Sequence, residues 1–406
     1  MSAPPATPTR FIGLDLHKHY LIAIAVDSAG EHVGGPWRVT VDHLDTWARQ
    51  HLTRLDAVAV EITTNTYTVY DALRPLVQSV TVVHPPHVAL ITRVPVKTDN
   101  RAALVLAQFL AKGMLSALWI PPQAVREQRA TVAQRAKFTR LSTQAKNRLH
   151  SVLHRHHLPL PESGSPFSPA NRAWWQQLPV SGSEQARVQA DLATLDFAAQ
   201  QVGRLTAALT TESAQDDRVP LLVQLPGFSV VTSLTVLAAI GDITRFEDAK
   251  HLVGYAGLGA RVHDSGQLHR TGGITKAGRR DLRAALVEAA QIAANTHPHW
   301  QVELARLQPR LGRNKAVVAI ARKLLVAVWH VLTQQRADRF ADPARVARKL
   351  LNYTHKVGRV NRRPGQSTTA YVREQLDRLH LGAELESIAH GKRAIPLPPS
   401  QQSPAA

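Results

Sequence analysis

Apolar and polar residues alternate through the first part of the chain in a pattern that predicts strands separated by helices. The stretch RFIGLDLHKHYLIAIAVDSAGEHV, residues 10–33, contains two alternating runs and leads toward a third. The segments WRVTVD, AVAVE and SVTVVH predict further strands, with helices expected over 44–54, 69–78 and 100–112. An opening hairpin followed by alternating strands and helices is typical of an α/β domain with a mixed sheet.

The remainder of the chain is predicted to be mostly helical. Apolar spacing indicates a long helix over 123–157, and a second long helix over 183–211 follows the Pro/Ser/Gly-rich linker at 159–171. The pattern therefore divides the chain into five predicted parts: a disordered leader (1–9), an α/β domain (10–122), a basic helical or coiled-coil region (123–217), a mostly α C-terminal domain (218–335), and a basic extension with a disordered tail (336–406).

Composition excludes several classes of protein. The 406 residues include no cysteine, so disulfides, thiolate zinc sites and cysteine nucleophiles are ruled out. The N-terminal residues lack the apolar region of a secretion signal, and we find no apolar run long enough to span a membrane. These features predict a soluble cytoplasmic protein without a membrane partner.

The charge is strongly positive, because 49 Lys and Arg residues face 30 Asp and Glu residues, a formal net charge of +19. Such a field attracts polyanions, of which nucleic acid is the usual one. The predicted helix at 123–157 carries eight Lys and Arg but only one acid, and the segment HSVLHRHH at its end is interpreted as a phosphate-facing surface rather than a metal site. The predicted nucleic-acid-binding residues are Arg135, Arg140, Lys146 and Arg148 on this helix, and Lys276, Arg279, Arg280 and Arg283 around the start of a later one.

Three carboxylates of the α/β domain form a candidate metal site. Asp15 lies within the first strand, Glu61 ends the strand AVAVE, and Asp99 begins a helix. Functional groups of α/β sheets collect where strands end and helices begin, and converging carboxylates suit Mg²⁺ (or Mn²⁺). Each residue also has a simpler interpretation, since Glu61 fits a solvated strand end and Asp99 fits a helix cap.

Two features of the C-terminal domain suggest contact with phosphate. Pro226 and Gly227, between two apolar helical stretches, resemble the turn of a helix-hairpin-helix, although a plain connection between helices fits equally well. Ser265 lies in a Gly-rich basic loop before a helix expected to begin near Gly278. A serine there is a candidate nucleophile toward phosphorus, with nearby cations stabilising developing charge, although a Ser-Gly turn is more often structural.

Taken together, these segments resemble the insertion-sequence transposases of the family named for insertion sequence one-hundred-ten. GLDLHK (13–18), VEITTNTY (60–67) and VKTD (96–99) are similar to the acidic motifs of its RuvC-like N-terminal domain. LPGFSVVTSLTVLAAIGDITRF, YAGL, SG, GGITKAGRRDLR and ARKLLVAVWHVL are similar to segments of its C-terminal transposase domain. The resemblance extends in order from about Phe11 to Leu332.

The resemblance implies an RNase H-like N-terminal domain in which Asp15, Glu61 and Asp99 bind metal and catalyse, with Ser265 as the nucleophile of the second domain. It also implies a DNA recombinase of the prokaryotic cytoplasm, associated with the chromosome. Its partners would be element ends and target DNA, a structured bridge RNA as guide, and further copies in a tetramer with composite active sites.

One position departs from the family pattern. The family places a fourth acid three residues after the aspartate matched by Asp99, and this chain has Ala102 there. Two alternatives to an active transposase therefore stay open. One is an impaired relic that only binds nucleic acid, which Ala102 favours. The other is an actin-like kinase, which the absence of Gly-rich phosphate loops in the first domain disfavours.

Overall fold

The computed structural model describes residues 7–86, 98–265, 268–358, 363 and 365–402, and the side chains of residues 263–271 are outside the description. Most of the predicted leader lies outside the described residues. So do residues 87–97, which include the first two residues of the VKTD segment. The chain forms two compact units, Met1–Pro121 and Pro122–Ala406.

The first unit contains five strands and three helices within its described residues. The strands are β1 (Arg10–Leu16), β2 (Tyr20–Val26), β3 (His32–Thr40), β4 (Asp56–Glu61) and β5 (Ser79–Val83). The helices are α1 (Leu44–His51), α2 (Thr66–Leu73) and α3 (Asp99–Ala111), with a 3₁₀ turn at Val41–His43. The predicted strands and helices of this region are confirmed, with shifts of a few residues at their ends.

The five strands form one mixed sheet in the order β3-β2-β1-β4-β5. β1 pairs antiparallel with β2 and parallel with β4. β5 pairs parallel with β4 on the side away from β1. The register places Leu14 beside Val60. Asp15 comes directly after Leu14, and Glu61 comes directly after Val60. Because β1 and β4 are parallel, Asp15 and Glu61 lie next to each other on neighbouring strands and on the same face of the sheet.

Both faces of this sheet are covered. Ile12, Leu14 and Leu16 point into a core that α1 and α2 complete. The opposite face packs against α3, and there Gly13 lies directly under the helix backbone. A Cβ at Gly13 would stand 1.9 Å from the carbonyl oxygen of Ala103, so only glycine permits this approach. Because side chains alternate along a strand, Asp15 lies on the α3 face of β1.

The second unit begins with a pair of long helices. These are α4 (Gln123–Arg155) and α6 (Gly182–Ser213), which pack together; the short α5 (Arg172–Gln176) lies between them in the chain, preceded by a 3₁₀ turn at Pro169–Asn171. Leu149, Val152, Trp175 and Leu192 form a small separate core at one end of the pair. Trp175 is fully buried and donates its indole N–H to the carbonyl of Pro166, so the Pro/Ser/Gly segment is held against the helices.

A larger core follows, built mainly from helices. They are α7 (Arg218–Val223), α8 (Val230–Ile240), α9 (Ala249–Tyr255), α10 (Arg280–Thr296), α11 (Pro298–Leu311) and α12 (Arg313–Gln334), with a 3₁₀ turn at Ile243–Arg245. The antiparallel strands β6 (Ala260–Ser265) and β7 (Leu268–Ile274) form a hairpin between α9 and α10.

The second unit differs from the sequence predictions at three places. Ser265 ends strand β6 and is paired with Leu268, so the prediction of a loop around it is wrong. Both strands are largely polar, which hides the alternation of apolar and polar residues typical of a strand. The helix expected to begin near Gly278 begins at Arg280. Gly227 has φ +78, and a Cβ there would stand 2.1 Å from the carbonyl oxygen of Ala289, so close packing onto α10 accounts for this glycine.

The C-terminal extension is folded through Gln402. It contains α13 (Pro343–Val357), α14 (Thr368–Arg378) and the hairpin β8 (Ser387–His390) and β9 (Arg393–Pro396). Their buried residues, up to Leu397, belong to the main core of the second unit. Ser400 and Gln401 both donate hydrogen bonds to the carboxylate of Asp377. The prediction of a disordered tail is therefore wrong for these residues, since their Pro-rich composition conceals specific anchors.

One helix of the described chain, α12, is long and apolar enough to cross a membrane by length and composition alone. Its most apolar window is 56% buried inside the unit. Residues such as Ile320, Leu324 and Val328 are fully buried in the main core. A helix that packs one side into the core of a folded unit passes the same test, and α12 is such a helix.

Candidate metal centre and basic surfaces

The carboxylates of Asp15 and Asp99 meet above the sheet. Asp15 stands near the end of β1, and Asp99 is the first residue of α3, whose N-cap Thr98 accepts a hydrogen bond from the N–H of Arg101. The close packing of α3 on Gly13 carries Asp99 toward this end of β1. A carboxylate in the first turn is also stabilised by the positive end of the helix dipole.

His17 is the third member of this cluster, and it was not among the residues predicted from the sequence. One ligand atom from each of Asp15, His17 and Asp99 lies within 4.8 Å of the other two. Nε2 of His17 stands 3.4 Å from Oδ2 of Asp15 and 3.2 Å from Oδ2 of Asp99. His17 follows Asp15 by two residues, so the period of a strand places both on one face; that signal was available in the sequence.

Neighbouring residues fix the orientation of these side chains. The ring of Tyr20 stacks on His17 with centroids 4.6 Å apart, and its hydroxyl donates a hydrogen bond of 3.0 Å to Oδ2 of Asp99. This hydrogen bond raises the pKa of the Tyr20 phenol, which keeps the hydroxyl protonated as a donor. The guanidinium of Arg38 covers the ring at 4.2 Å from its centroid. Asn65 donates to the backbone carbonyl of His17, which ties the loop after β4 to this end of β1.

The donor set fits a divalent cation. Nε2 of His17 is shielded from solvent and makes no hydrogen bond within the described part of the chain, although two carboxylate oxygens face it. Two carboxylates this close repel each other unless a cation or proton lies between them. Carboxylate oxygens suit Mg²⁺ and Mn²⁺, and an added imidazole nitrogen favours Mn²⁺ over Mg²⁺. The three side chains are 23%, 36% and 44% exposed for Asp15, His17 and Asp99, so a substrate can reach them.

Glu61 and Ala102 complete the description of this site. Glu61 is not part of the set of mutually close ligand atoms, although it stands beside the level of Asp15 on the next strand. Its role as a metal ligand therefore stays a prediction. Ala102 is half-buried one turn beyond Asp99 on α3, and its N–H bonds to the carbonyl of Thr98. Its methyl group offers no ligand atom.

The predicted nucleic-acid-binding residues fall into two groups. Four have their guanidinium groups engaged within the unit: Arg135 donates to Thr206, Arg148 pairs with Asp191, Arg279 pairs with Asp281, and Arg283 donates to the carbonyl of Ala256. Burial lowers the pKa of Arg135. Arg140, Lys276 and Arg280 are exposed, and Lys146 lies 5.4 Å from the ring centroid of Phe167. The exposed residues remain open to phosphate contacts; the engaged ones also hold the fold together.

A mixed-sheet unit with clustered side chains that could hold a metal ion, followed by a basic helical unit, is consistent with the nuclease-like class of folds. Comparison with known proteins identifies the family. Residues 219–304 match the model of the transposase IS116/IS110/IS902 family, and residues 12–158 match that of the DEDD transposases of IS110. The chain belongs to the IS110 family of transposases, and its mixed sheet and helical region are consistent with a DEDD nuclease-like fold.

Three relatives illustrate the similarity. The chain is 38% identical to the pilin gene-inverting protein of Moraxella bovis over 123 residues, which is 29% of this chain and 38% of that protein. It is 34% identical to the transposase for insertion sequence element IS1111A of Coxiella burnetii over 28% of this chain and 33% of that protein. A putative transposase, y4qE, of Sinorhizobium fredii is 27% identical over 75% of this chain and 74% of its own length. The alignments with the first two thus span 38% and 33% of those proteins.

Proposed function

We propose that this chain is the transposase of an insertion sequence, which cuts and rejoins DNA strands to move its own element. The observation that carries the proposal is the cluster of Asp15, His17 and Asp99 in the unit that matches the DEDD transposases. The sheet order supports an RNase H-like, RuvC-like fold for that unit. The match of residues 219–304 adds the second half of a transposase.

The proposed chemistry divides between the two units. Asp15, His17 and Asp99, with Glu61 beside them, would hold Mg²⁺ or Mn²⁺, which supplies charge neutralisation at a phosphodiester and activation of an oxygen nucleophile. Tyr20 keeps Asp99 oriented through its hydrogen bond, and the stacked rings of Tyr20 and His17 restrict the imidazole. The partial exposure of all three ligands leaves room for a phosphate.

Ser265 is the proposed nucleophile of the second unit. It ends strand β6, paired with Leu268 of β7. Its hydroxyl oxygen would form a bond to phosphorus while one P–O bond of the DNA backbone breaks, and the hydroxyl proton must pass to a base. The resulting serine–phosphate ester would retain the energy of the broken phosphodiester bond, so that the DNA strands can be rejoined. Lys276 and Arg280, exposed beyond the base of the hairpin, are candidate contacts for the phosphates of the same DNA.

The proposed partners follow from the family and from the net charge of +19. They are the element ends and target DNA, a structured bridge RNA that guides pairing, and three further copies of the chain in a tetramer. In that tetramer the acids of one copy would serve Ser265 of another. The proposed location is the prokaryotic cytoplasm, in association with the chromosome.

A covalent-adduct assay tests this proposal. The full chain is incubated with Mn²⁺ and a nicked, radiolabelled duplex carrying an element end, and the products are separated under denaturing conditions. We expect a protein–DNA adduct with the natural chain, none with Ser265→Ala or Asp99→Asn, and near-normal DNA binding by both variants. Mixing the two variants should restore part of the adduct if copies share sites. An adduct that survives Ser265→Ala would exclude this serine as the nucleophile.

The alternative, a relic that only binds nucleic acid, is favoured by Ala102 alone. It predicts DNA binding by the natural chain with no adduct under any of these conditions. The same assay on Ala102→Asp separates the possibilities, because restoring a carboxylate one turn after Asp99 should then create activity that the natural chain lacks.

A further inference from the structure

A large groove opens in the second unit beside the β6–β7 hairpin. Its volume is about 1450 Å³, and its walls are the base of the hairpin, α11, α12 and the segment that follows α12. All the residues that line the groove belong to the second compact unit. The groove lies between these elements. A site of this kind suits an extended flexible chain better than a rigid duplex.

The floor of the groove is apolar. Val318 with Ala319, and Val326 with Ala327 about two turns further along α12, line the groove and are only half-buried. The other side of the helix packs into the main core. The four floor residues also pack partly against that core, so the helix carries apolar residues on both sides, and those that line the groove are only partly covered by the described part of the chain. Such a floor fits flat, weakly polar groups such as nucleobases.

The rim of the groove is positively charged. Lys323 is paired with Glu303, which Arg306 also contacts, so this acid is neutralised. Among the described residues that line the groove, the one other acid is Asp338. Six further cations line the groove: Arg261, Lys276, Lys315, Arg322, Arg336 and Arg339. The charge is therefore complementary to a chain of phosphates.

One wall adds aromatic rings. The rings of His299 and Phe340 stack with their centroids 3.5 Å apart. The guanidinium of Arg339 also contacts the Phe340 ring, 4.5 Å from its centroid. Trp300 also lines the groove; it is 3% exposed, and its indole N–H has no hydrogen-bond partner in the described part of the chain. A buried donor without a partner costs about 1–3 kcal/mol unless a ligand or water accepts it.

We infer that this groove binds a single strand of DNA, with bases on the α12 floor and phosphates along the cationic rim. The choice of DNA rests on the proposed function, because the hairpin that forms one wall carries Ser265, the residue proposed to cut the strand. A positively charged groove combined with apolar and aromatic surfaces is the common arrangement for single-stranded nucleic acid.

The test measures fluorescence anisotropy of a labelled ten-nucleotide DNA strand against the full chain, in EDTA so that no cleavage occurs. Lys315→Glu with Arg322→Glu reverses two exposed charges of the rim. Lys250→Glu with Lys392→Glu makes the same change of charge at exposed positions elsewhere and serves as the control. We expect at least a tenfold loss of affinity with the rim variant and less than a threefold loss with the control. The dependence on salt should flatten by about 0.7 for each phosphate that the rim variant no longer neutralises.

A second variant tests the floor without changing charge. Ala327→Trp fills part of the groove, and we expect it to weaken binding of the single strand at least fivefold while binding of a matched duplex changes less than twofold. Thermal melting of each variant checks the fold. Equal losses for rim and control, or equal losses for duplex and single strand, would overturn the inference.

Two further outcomes would also overturn it. At least tenfold tighter binding of the RNA of the same sequence would assign the groove to RNA, and a change of oligomeric state with Ala327→Trp would assign it to a second copy. The result is independent of the proposed chemistry, because binding in EDTA requires no cleavage. Loss of the Ser265 adduct with intact groove binding, or the reverse, tells the two apart.

Discussion

The position of one carboxylate, Asp15, near the end of a strand has a local explanation in the side chains around it. Asp99 approaches because α3 packs on Gly13, His17 follows on the same face of β1, and Tyr20 bonds to Asp99 from the paired strand. Asp15 and Asp99 were identifiable in the sequence as acids at element ends. His17 was identifiable only by its two-residue spacing from Asp15, and the bond from Tyr20 depends on the side-chain geometry of the fold.

Substitution of His17 should change which metal the cluster prefers. We expect His17→Asn to weaken binding of Mn²⁺ by about tenfold and to leave Mg²⁺ binding nearly unchanged, because imidazole nitrogen is the ligand that favours Mn²⁺. Isothermal titration of both metals gives the ratio. His19→Asn, an exposed neighbour, is the matched control. An unchanged ratio of affinities would remove His17 from the set of ligands.

Lys349 makes stability depend on pH. Lys349 is half-buried and its ammonium group donates to the carbonyl of Leu225. Partial burial lowers the pKa of Lys349 to about 7 from an ordinary value of 10.5. Between these values the unfolded chain binds a proton that the folded chain does not, so the free energy of unfolding rises with pH from about 7 to about 10. Lys349→Met should flatten this rise and stabilise the protein at pH 7. Urea unfolding over this range measures it; an unaltered slope would contradict the assignment.

At the scale of elements, the approach of α3 to β1 connects the fold to the metal cluster. Gly13→Ala forces a methyl group against the carbonyl of Ala103, so α3 must shift. We expect a loss of about 1–3 kcal/mol in the free energy of unfolding and weaker Mn²⁺ binding, since Asp99 moves with the helix. Gly203→Ala, in the middle of α6 with open space around it, should instead be neutral or stabilising. Normal metal binding by Gly13→Ala would disconnect the packing from the site.

Elements with strong apolar periodicity were predictable, and elements held by specific polar contacts were not. The five strands of the first sheet and the helices α4 and α6 follow their sequence patterns closely. The β6–β7 hairpin escaped prediction because both strands are mostly polar. The C-terminal segment escaped because its anchors, such as the bonds of Ser400 and Gln401 to Asp377, have no periodic signature.

At the scale of the whole molecule, the charge of +19 is divided between surface and internal roles. Arg140→Ala with Arg280→Ala removes two exposed cations, so DNA affinity should fall and its salt dependence should flatten by about 0.9 for each duplex phosphate that is no longer neutralised. Arg135→Ala with Arg283→Ala removes guanidinium groups that bond to Thr206 and to the carbonyl of Ala256. This second pair should chiefly lower the melting temperature. Equal effects of both pairs on salt dependence would contradict the division.

We propose that Asp15, His17 and Asp99 together hold one divalent cation. The most direct measurement is the stoichiometry of Mn²⁺ binding to the full chain, read by electron paramagnetic resonance of the free ion. We expect one site per chain, lost in Asp99→Asn and in Asp15→Asn but kept in the control Asp71→Asn on α2. An undiminished site in both cluster variants would show that the cation binds elsewhere and would contradict the account.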